Sequence, residues 1–210
     1  LLAQMVASRS YALYLSAQGQ SFTANSALCS GWTSSEVLQS RWGSDYAANM
    51  QRLQSLAART GQTVLLYNGQ PAAACYHAIS SGHTEASQNV WGGQLPYLCG
   101  VDSAWDKFAD GYEVTIQYSA EQVRTALEEL GLTPDDSPES WVGASTWDKA
   151  GYVRTLELCG QMVSGLEVRK ALDLRSTCFA IAWRGGQFVI TTRGYGHGVG
   201  PVSYTHLTLP

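Results

Sequence analysis

The glycine-rich segment, residues 193–200, restricts the fold more than any other stretch of the chain. Four glycines alternate there with Tyr195, His197 and Val199. Glycine at this density does not hold a helix, and it implies positive φ values or a backbone that approaches another group closely. We expect a shaped surface loop from which the rings of Tyr195 and His197 project. The spacing fits neither phosphate-binding pattern, G-x-x-x-x-G-K-[ST] or G-x-G-x-x-G, at a strand-to-helix turn.

The polar loop, residues 76–85, gathers two histidines, three small hydroxyl side chains and a carboxylate around one glycine. It overlaps the second of two apolar runs, at 63–67 and 72–79, which the Asn-Gly pair at 68–69 would join as a hairpin. That hairpin would deliver His77 to the point where the chain leaves the sheet, and loops on a rigid scaffold commonly carry function. The alternative is an ordinary polar turn with a hydrogen-bonded, half-buried histidine.

Together these two segments resemble the stage II sporulation protein D (SpoIID) family, which also includes the amidase enhancer LytB. The resemblance covers about residues 1–200. Five motifs carry it, in the family's order: A-Q-M-V-A-S-R-S-Y-A at 3–12, G-Q-T-V-L-L-Y-N-G at 61–69, the run from Y-H to P-Y-L at 76–98, G-L-E-V-R-K-A-L-D-L-R-S-T-C-F at 165–179, and G-Y-G-H-G-V-G at 194–200.

The resemblance implies an extracytoplasmic protein, at the cell envelope or the engulfment membrane, that acts on the glycan strands of peptidoglycan. Family members characterised as enzymes are lytic transglycosylases, which leave anhydromuramic ends. One carboxylic acid suffices, because it protonates the leaving oxygen and then helps the sugar's own hydroxyl to attack. The alternative is a non-catalytic, glycan-binding enhancer of a cell-wall amidase, the role attributed to LytB-type members.

Three departures from the family pattern concern the ends of the chain. The family's catalytic glutamate precedes the motif at 3–12, so we expect the intact protein to carry it in an upstream segment. Leu2 stands where family members have lysine. After the glycine-rich segment the family continues with M-S-Q-Y-G-A, whereas residues 201–210 differ, and we interpret them as a non-native tail. The expected SpoIID/LytB-like domain is therefore 1–200, with its N-terminal part missing.

Two residues are candidates for catalytic roles. Glu85 is the carboxylate of the polar loop, and we assign it a supporting role, in which it orients a histidine, binds a sugar hydroxyl or transfers a proton. Alternatively it pins the loop by accepting backbone N–H bonds. Arg9 matches the helix arginine of the family and would neutralise the catalytic acid or hold a glycan group. The alternative is a surface arginine with a snorkelling stem.

The expected substrate-binding residues are polar and aromatic side chains of the two segments and of the stretch that follows the polar loop. Trp91 and Tyr97 would stack on pyranose rings or lie in the core, and we expect Trp105 in the core. The full set is Tyr76, His77, Ser80, Ser81, His83, Thr84, Trp91, Tyr97, Tyr195 and His197.

Zinc is the competing interpretation of the histidines. It would require four side chains to converge, and their spacing matches no compact ligand pattern: Cys75, His77, His83 and His197. We therefore expect no cofactor and no metal, and instead hydrogen-bonded histidines that line a sugar cleft.

Composition limits the class of protein. A chain of 210 residues that is 45% hydrophobic can bury one core, with room for a smaller subdomain. The net charge of -4 and the lack of a basic run argue against nucleic acid as a partner, and no membrane anchor is visible. The five cysteines are odd in number and form no C-x-x-C pair, so they define no disulfide framework.

Caps and periodicity predict an α+β fold, with mixed short strands, hairpins and three or four helices. Capping boxes open three helices, at Thr33 with Glu36, Ser119 with Gln122, and Ser164 with Glu167. The first helix would run to about Arg59, where Gly61 ends it. We expect strands at 152–158, 178–183 and 187–192, with the last two forming a hairpin. The stretch 133–140, rich in Pro, Asp and Ser, is the expected internal linker.

Overall fold

The structure is a computed structural model that describes residues 1–20 and 33–203. Helices and short strands alternate irregularly, which confirms the α+β class, and six α-helices lie in these two ranges, more than expected. The chain forms two compact units, Leu1–Cys75 and Tyr76–Pro210. The predicted linker lies inside the second unit and is not the boundary. No helix among the described residues is long and apolar enough to span a bilayer.

The first unit contains three helices, and the predicted long helix is divided between two of them. Ser34, rather than Thr33, is the N-cap, because its hydroxyl accepts the Val37 N–H at 3.4 Å. Gly43, with φ of 50°, interrupts the helix, and Gly61 ends it as expected. The elements are α1 (Leu2–Ala17), α2 (Ser35–Trp42), a 3₁₀ turn (Gly43–Asp45) and α3 (Tyr46–Thr60).

The hairpin of the first unit is much shorter than predicted. Strands β1 (Leu66–Tyr67) and β2 (Gln70–Pro71) flank Asn68 and Gly69, whose φ angles of 50° and 76° are those of the expected turn. The prediction of a second strand over 72–79 was wrong. β2 ends at a proline, and the next amides bond to carbonyls two residues back, such as Ala74 N–H to Ala72 O at 2.7 Å, so the chain bends locally instead of pairing.

The second unit contains two antiparallel three-stranded sheets, with strand orders β3-β8-β7 and β4-β5-β6. Its elements are α4 (Ser87–Trp91), a 3₁₀ helix (Ala104–Phe108), β3 (Glu113–Tyr118), α5 (Ala120–Glu129), a 3₁₀ turn (Pro138–Ser140), β4 (Val142–Trp147), β5 (Val153–Leu158), β6 (Gln161–Ser164), α6 (Gly165–Ala171), β7 (Phe179–Arg184) and β8 (Gln187–Arg193).

Local signals located most of the second unit correctly. Both capping boxes are present, at the starts of α5 and α6, and the three predicted strands are β5, β7 and β8. The hairpin between β7 and β8 turns at Gly185 and Gly186, both with positive φ. The strands β3, β4 and β6 were not predicted, and β4 is irregular, with register shifts against β5.

The apolar core of the second unit is built from α5, α6 and both sheets. Phe188 is fully buried and stacks on Trp141 with ring centroids 5.7 Å apart. Leu127 of α5 and Ile190 of β8 are also buried in it. Because each strand turns alternate side chains inward, β8 contributes Phe188, Ile190 and Thr192 to the buried side. This core is the scaffold that carries the polar loop.

Part of the expected tail is packed into the second unit. The His77 N–H donates to the Pro201 carbonyl at 3.1 Å, and the Ser203 N–H donates to the His77 carbonyl at 2.8 Å. Val202 between them is buried. Residues 204–210, the remainder of the expected tail, lie outside the described residues.

Candidate functional site

The polar loop and the glycine-rich segment lie side by side. Ile79 and Tyr195 exchange two backbone hydrogen bonds, of 2.7 and 3.0 Å. The Glu85 N–H donates to a further carbonyl of the glycine-rich segment at 2.7 Å. These isolated bridges replace the sheet ladder that we expected to hold the loop. The loop is therefore positioned by a partner more than one hundred residues away in sequence.

The glycines of that partner are required by close approach. A Cβ atom on Gly194 would lie 2.8 Å from the Ile79 carbonyl, and one on Gly198 would lie 2.7 Å from the Tyr152 hydroxyl. Both residues also have positive φ. The expectation of a surface loop was only partly right, because Val199 is fully buried and the backbone packs inside the unit.

Ser80 is held by a buried carboxylate that sequence reasoning missed. Both Ser80 and Asp106 are fully buried. The Ser80 N–H donates to the Asp106 carboxylate at 3.0 Å, its hydroxyl donates to the same oxygen, and that hydroxyl accepts the Gly82 N–H. With donor and acceptor both engaged, the Ser80 side chain fixes the turn and presents nothing to a ligand.

The neighbouring hydroxyls are engaged in the same way. Thr84 is buried, and its hydroxyl accepts the Val101 N–H at 2.9 Å. Ser81 donates to the Ala150 carbonyl at 2.8 Å. His83 is half-buried, and its Nδ1 lies 2.7 Å from the Thr84 carbonyl. These bonds favour the structural interpretation of the loop's hydroxyls.

Glu85 is buried in an ion-pair network with Arg154 and Asp148. Its carboxylate accepts the Arg154 guanidinium at 2.6 Å, the Ala86 N–H at 2.7 Å and the Asn89 amide at 2.7 Å. Arg154 also donates to Asp148. Burial raises the pKa of Glu85 above its ordinary value, and a hydrogen bond with the Asp148 side chain raises it further. The network matches the alternative in which Glu85 pins the loop.

His77 and His197 pack against each other, with ring centroids 5.7 Å apart. The His77 Nδ1 donates to the Val199 carbonyl at 3.0 Å, so its Nε2 carries the lone pair, and this buried atom has no hydrogen-bond partner among the described residues. The His197 Nδ1 accepts the Val199 N–H at 3.1 Å. Burial lowers the pKa of both rings, that of His197 to about 4, so both are neutral at pH 7.

The Glu85 cleft is a small opening of about 90 Å³ beside this network. It is a space for one chemical group rather than for a sugar ring. Its polar lining comes from the polar loop, α4, β5, β6, α6, the segment before β7 and the glycine-rich segment. The residues are Glu85, Asn89, Arg154, Ser164, Arg169, Thr177 and His197.

The aromatic candidates differ in exposure. Trp91 is 52% exposed and packs on His197 with ring centroids 5.0 Å apart, and His197 in turn lines the Glu85 cleft. Tyr195 is 50% exposed and lies under the Arg175 guanidinium. Tyr76 and Tyr97 are half-buried. The prediction that Trp105 is a core residue was wrong, because it is 66% exposed on a short 3₁₀ helix.

Arg9 lies in the first unit, where it links α1 to the end of α3. Its guanidinium donates to the Thr63 carbonyl at 2.9 Å and to the Thr60 hydroxyl at 3.1 Å. It is half-buried rather than a free surface side chain. Its role toward a glycan stays a prediction.

The choice between zinc and hydrogen-bonded histidines stays a prediction. Within residues 1–20 and 33–203, no three histidine, cysteine or acidic side chains converge to hold an ion. The histidines of the polar loop make the hydrogen bonds given above.

Curated relatives match most of this chain. The stage II sporulation protein D of Bacillus subtilis and that of Bacillus amyloliquefaciens are 33% and 34% identical to it over 174 residues. This aligned part is 82% of the chain and 49% of each relative, so the chain spans about half the length of these relatives. The amidase enhancer of Bacillus subtilis is 35% identical over 88 residues, which are 42% of the chain and 11% of the enhancer. No family model matches the chain.

Proposed function

This chain belongs to the stage II sporulation protein D family, and on that premise we propose that the intact protein cleaves peptidoglycan glycan strands by lytic transglycosylation. The names of its relatives support a function in sporulation or at the cell wall. As part of this proposal, the protein would act outside the cytoplasm, with glycan strands as its substrate. The second unit would supply the surface that binds the strand.

One observation carries the proposal. Trp91 is half-exposed and packs on His197 beside a cleft that contains a carboxylate with a raised pKa. An aromatic face next to convergent polar groups is a typical arrangement for holding a sugar ring. The glycan strand would stack on Trp91 and extend one substituent into the Glu85 cleft.

Lytic transglycosylation uses one carboxylic acid in two steps. The acid protonates the glycosidic oxygen, and its conjugate base then accepts the proton of the muramic acid hydroxyl that attacks the anomeric carbon. Glu85 is 4% exposed and accepts from Arg154, Ala86 and Asn89. Such engagement suits a supporting role, and the acid that protonates the glycosidic oxygen would be another residue of the intact protein.

A second candidate function is a non-catalytic enhancer of a cell-wall amidase. The match to the Bacillus subtilis amidase enhancer supports it. The same aromatic and polar surface would then bind the glycan strand without cutting it.

Digestion of purified glycan strands by the intact gene product tests the proposal, with mass spectrometry detecting anhydromuramic ends. Trp91→Ala should lower product formation about fivefold, the equivalent of about 1 kcal/mol of stacking. Trp147→Ala is the matched control, because Trp147 is also exposed, at 57%, on β4. Strands that are bound but never cut would favour the enhancer, and strands that are neither bound nor cut would refute both functions.

A further inference from the structure

Arg169 enters the Glu85 cleft from α6, and the placement of that helix is fixed by a glycine. A Cβ atom on Gly165 would lie 2.1 Å from the Val153 carbonyl, so only glycine allows the first turn of α6 to contact β5. Arg169 follows one turn later, and its Nε donates to the Leu174 carbonyl at 3.1 Å. This hydrogen bond through Nε holds the guanidinium at the wall of the cleft.

The charge of Arg169 is not neutralised by a contacting carboxylate. Arg154, in the same cleft, contacts both Glu85 and Asp148. In contrast, Arg169 forms no ion pair with any residue that the structure describes. Glu167, its neighbour on α6, has its carboxylate bonded to the N–H and hydroxyl of Ser164, at 3.0 and 2.6 Å.

The electrostatic environment of Arg169 is that of a partly desolvated cation. Burial lowers its pKa, while Tyr195 and Asp173 act in the opposite direction without forming an ion pair with it. The charge of Arg169 also acts on His197, which lines the same cleft. It lowers the pKa of His197, although burial and His77 have larger effects. A cation with incomplete solvation and no counter-ion favours an anionic ligand.

A second polar group faces the same space. Thr177 lines the cleft, and its hydroxyl forms no hydrogen bond with a described residue. The cleft, of about 90 Å³, accepts a single small group. One unpaired cation with the Glu85 carboxylate nearby favours a monoanion over a doubly charged group such as phosphate.

We propose that the Glu85 cleft is a carboxylate-binding subsite, in which Arg169 and Thr177 receive one carboxylate group of the glycan substrate. The inference rests on the proposed glycan-binding function and adds the substituent that the site selects. A peptidoglycan strand has two sources of this group: the lactyl carboxylate of a muramic residue without a peptide, and the carboxylates of an attached stem peptide.

Isothermal titration calorimetry of this chain with three muramic-acid tetrasaccharides tests the inference. The first carries free lactyl carboxylates, the second carries N-methylamides at those positions, and the third carries amide-linked L-Ala-D-Glu. The wild type should bind one carboxylate form about tenfold more tightly than the N-methylamide, the range of a hydrogen bond to a charged group. The preferred form identifies the source of the carboxylate.

Variants assign the preference to the cleft. Arg169→Gln should reduce binding of the preferred form to the level of the N-methylamide, while N-methylamide binding stays unchanged and shows that the fold is intact. Arg169→Lys should retain part of the preference, and Thr177→Val should lower it about threefold. Arg184→Gln is the control, because Arg184 is an exposed arginine on β7 that forms no ion pair with a described residue.

The outcomes separate this inference from the proposed function. Equal binding of all three ligands by the wild type, or an unchanged preference in Arg169→Gln, would overturn the subsite while leaving glycan binding in place. Absence of binding for every ligand would overturn both. If Arg169→Gln does not fold, the wild-type preference and the Arg169→Lys and Thr177→Val variants still decide the question.

Discussion

The apolar core of the second unit and the polar loop beside it are both buried, but they are stabilised in different ways. Around Phe188 the stabilisation comes from apolar area and close packing, with Trp141 and Ile190 as neighbours. Around Ser80 and Glu85 it comes from hydrogen bonds and ion pairs that must all be formed together. A core residue therefore contributes to stability in proportion to the apolar area that it buries. The contribution of a loop residue depends on which polar groups its removal would leave without a partner.

The largest effect should come from the core. Phe188→Ala should lower the free energy of unfolding by about 4 kcal/mol, because it removes a fully buried ring and leaves a cavity. Urea unfolding measures the loss. Phe108→Ala is the matched control, since Phe108 is 80% exposed, and it should change stability by less than about 0.5 kcal/mol. Equal losses for the two variants would contradict the assignment of the core.

Arg154→Met tests the network of the polar loop and should cost about 3 kcal/mol, because two poorly exposed carboxylates lose their shared counter-ion. Arg184→Met should be nearly neutral. The double variant Arg154→Met/Glu85→Gln sharpens the comparison with the core. Because it also removes the carboxylate charge that Arg154→Met leaves without a counter-ion, it should regain part of the lost stability. A purely additive double variant, in urea unfolding, would show that the network is not coupled.

Ser80→Ala should cost about 2 kcal/mol, since it leaves the fully buried Asp106 and the Gly82 N–H each without one bond. Ser145→Ala should cost less than about 0.5 kcal/mol, because Ser145 is a half-buried serine on β4 whose side chain forms no hydrogen bond with a described residue. Thermal unfolding monitored by circular dichroism compares the two. A neutral Ser80→Ala would mean that the loop does not depend on this bond.

The smallest effect is a dependence of stability on pH. The pKa of His197 falls from 6.5 in the unfolded chain to about 4 in the folded chain. Its contribution to the free energy of unfolding is therefore present above pH 6.5 and is lost as the pH falls toward 4. The raised pKa of Glu85 acts in the opposite direction, with a contribution that is lost as the pH rises from 4.5 through its folded value.

Comparison with His197→Gln isolates the histidine. Between pH 6.5 and 5, urea unfolding of the wild type should show about 1 kcal/mol more loss of stability than the variant, because glutamine does not titrate. Parallel pH profiles would show that the folded ring accepts a proton at its ordinary pKa and is not desolvated by its neighbours.

The same contrast explains what the sequence could predict. Caps and tight turns are local, so Ser119, Ser164 and the turn at Gly185 were located from residues three or fewer positions away. The partners of the polar loop are remote: Asp106 is 26 residues from Ser80, and Arg154 is 69 residues from Glu85. The position of Arg154 in its strand does not indicate which buried carboxylate its side chain will contact.

The exposed residues illustrate a further limit. The expectation for Trp105 followed the general preference of tryptophan for the interior, but the side chain is 66% exposed. The sequence did indicate where the candidate site lies, through the motifs of the polar loop and the glycine-rich segment. It did not indicate that the hydroxyls of Ser80 and Thr84 accept hydrogen bonds from the backbone, because these bonds depend on N–H groups that folding brings close.

The pairing of the polar loop with the glycine-rich segment also determines when the loop can fold on the ribosome. His77 and the Val199 carbonyl that binds it are 122 residues apart. At elongation rates of 5–20 residues per second, the loop waits on the order of 10 s for its partner to be synthesised. During that interval its amides and histidine lack the carbonyl groups that they bind in the folded unit, so a product that stops before Gly194 lacks the partner that positions the loop.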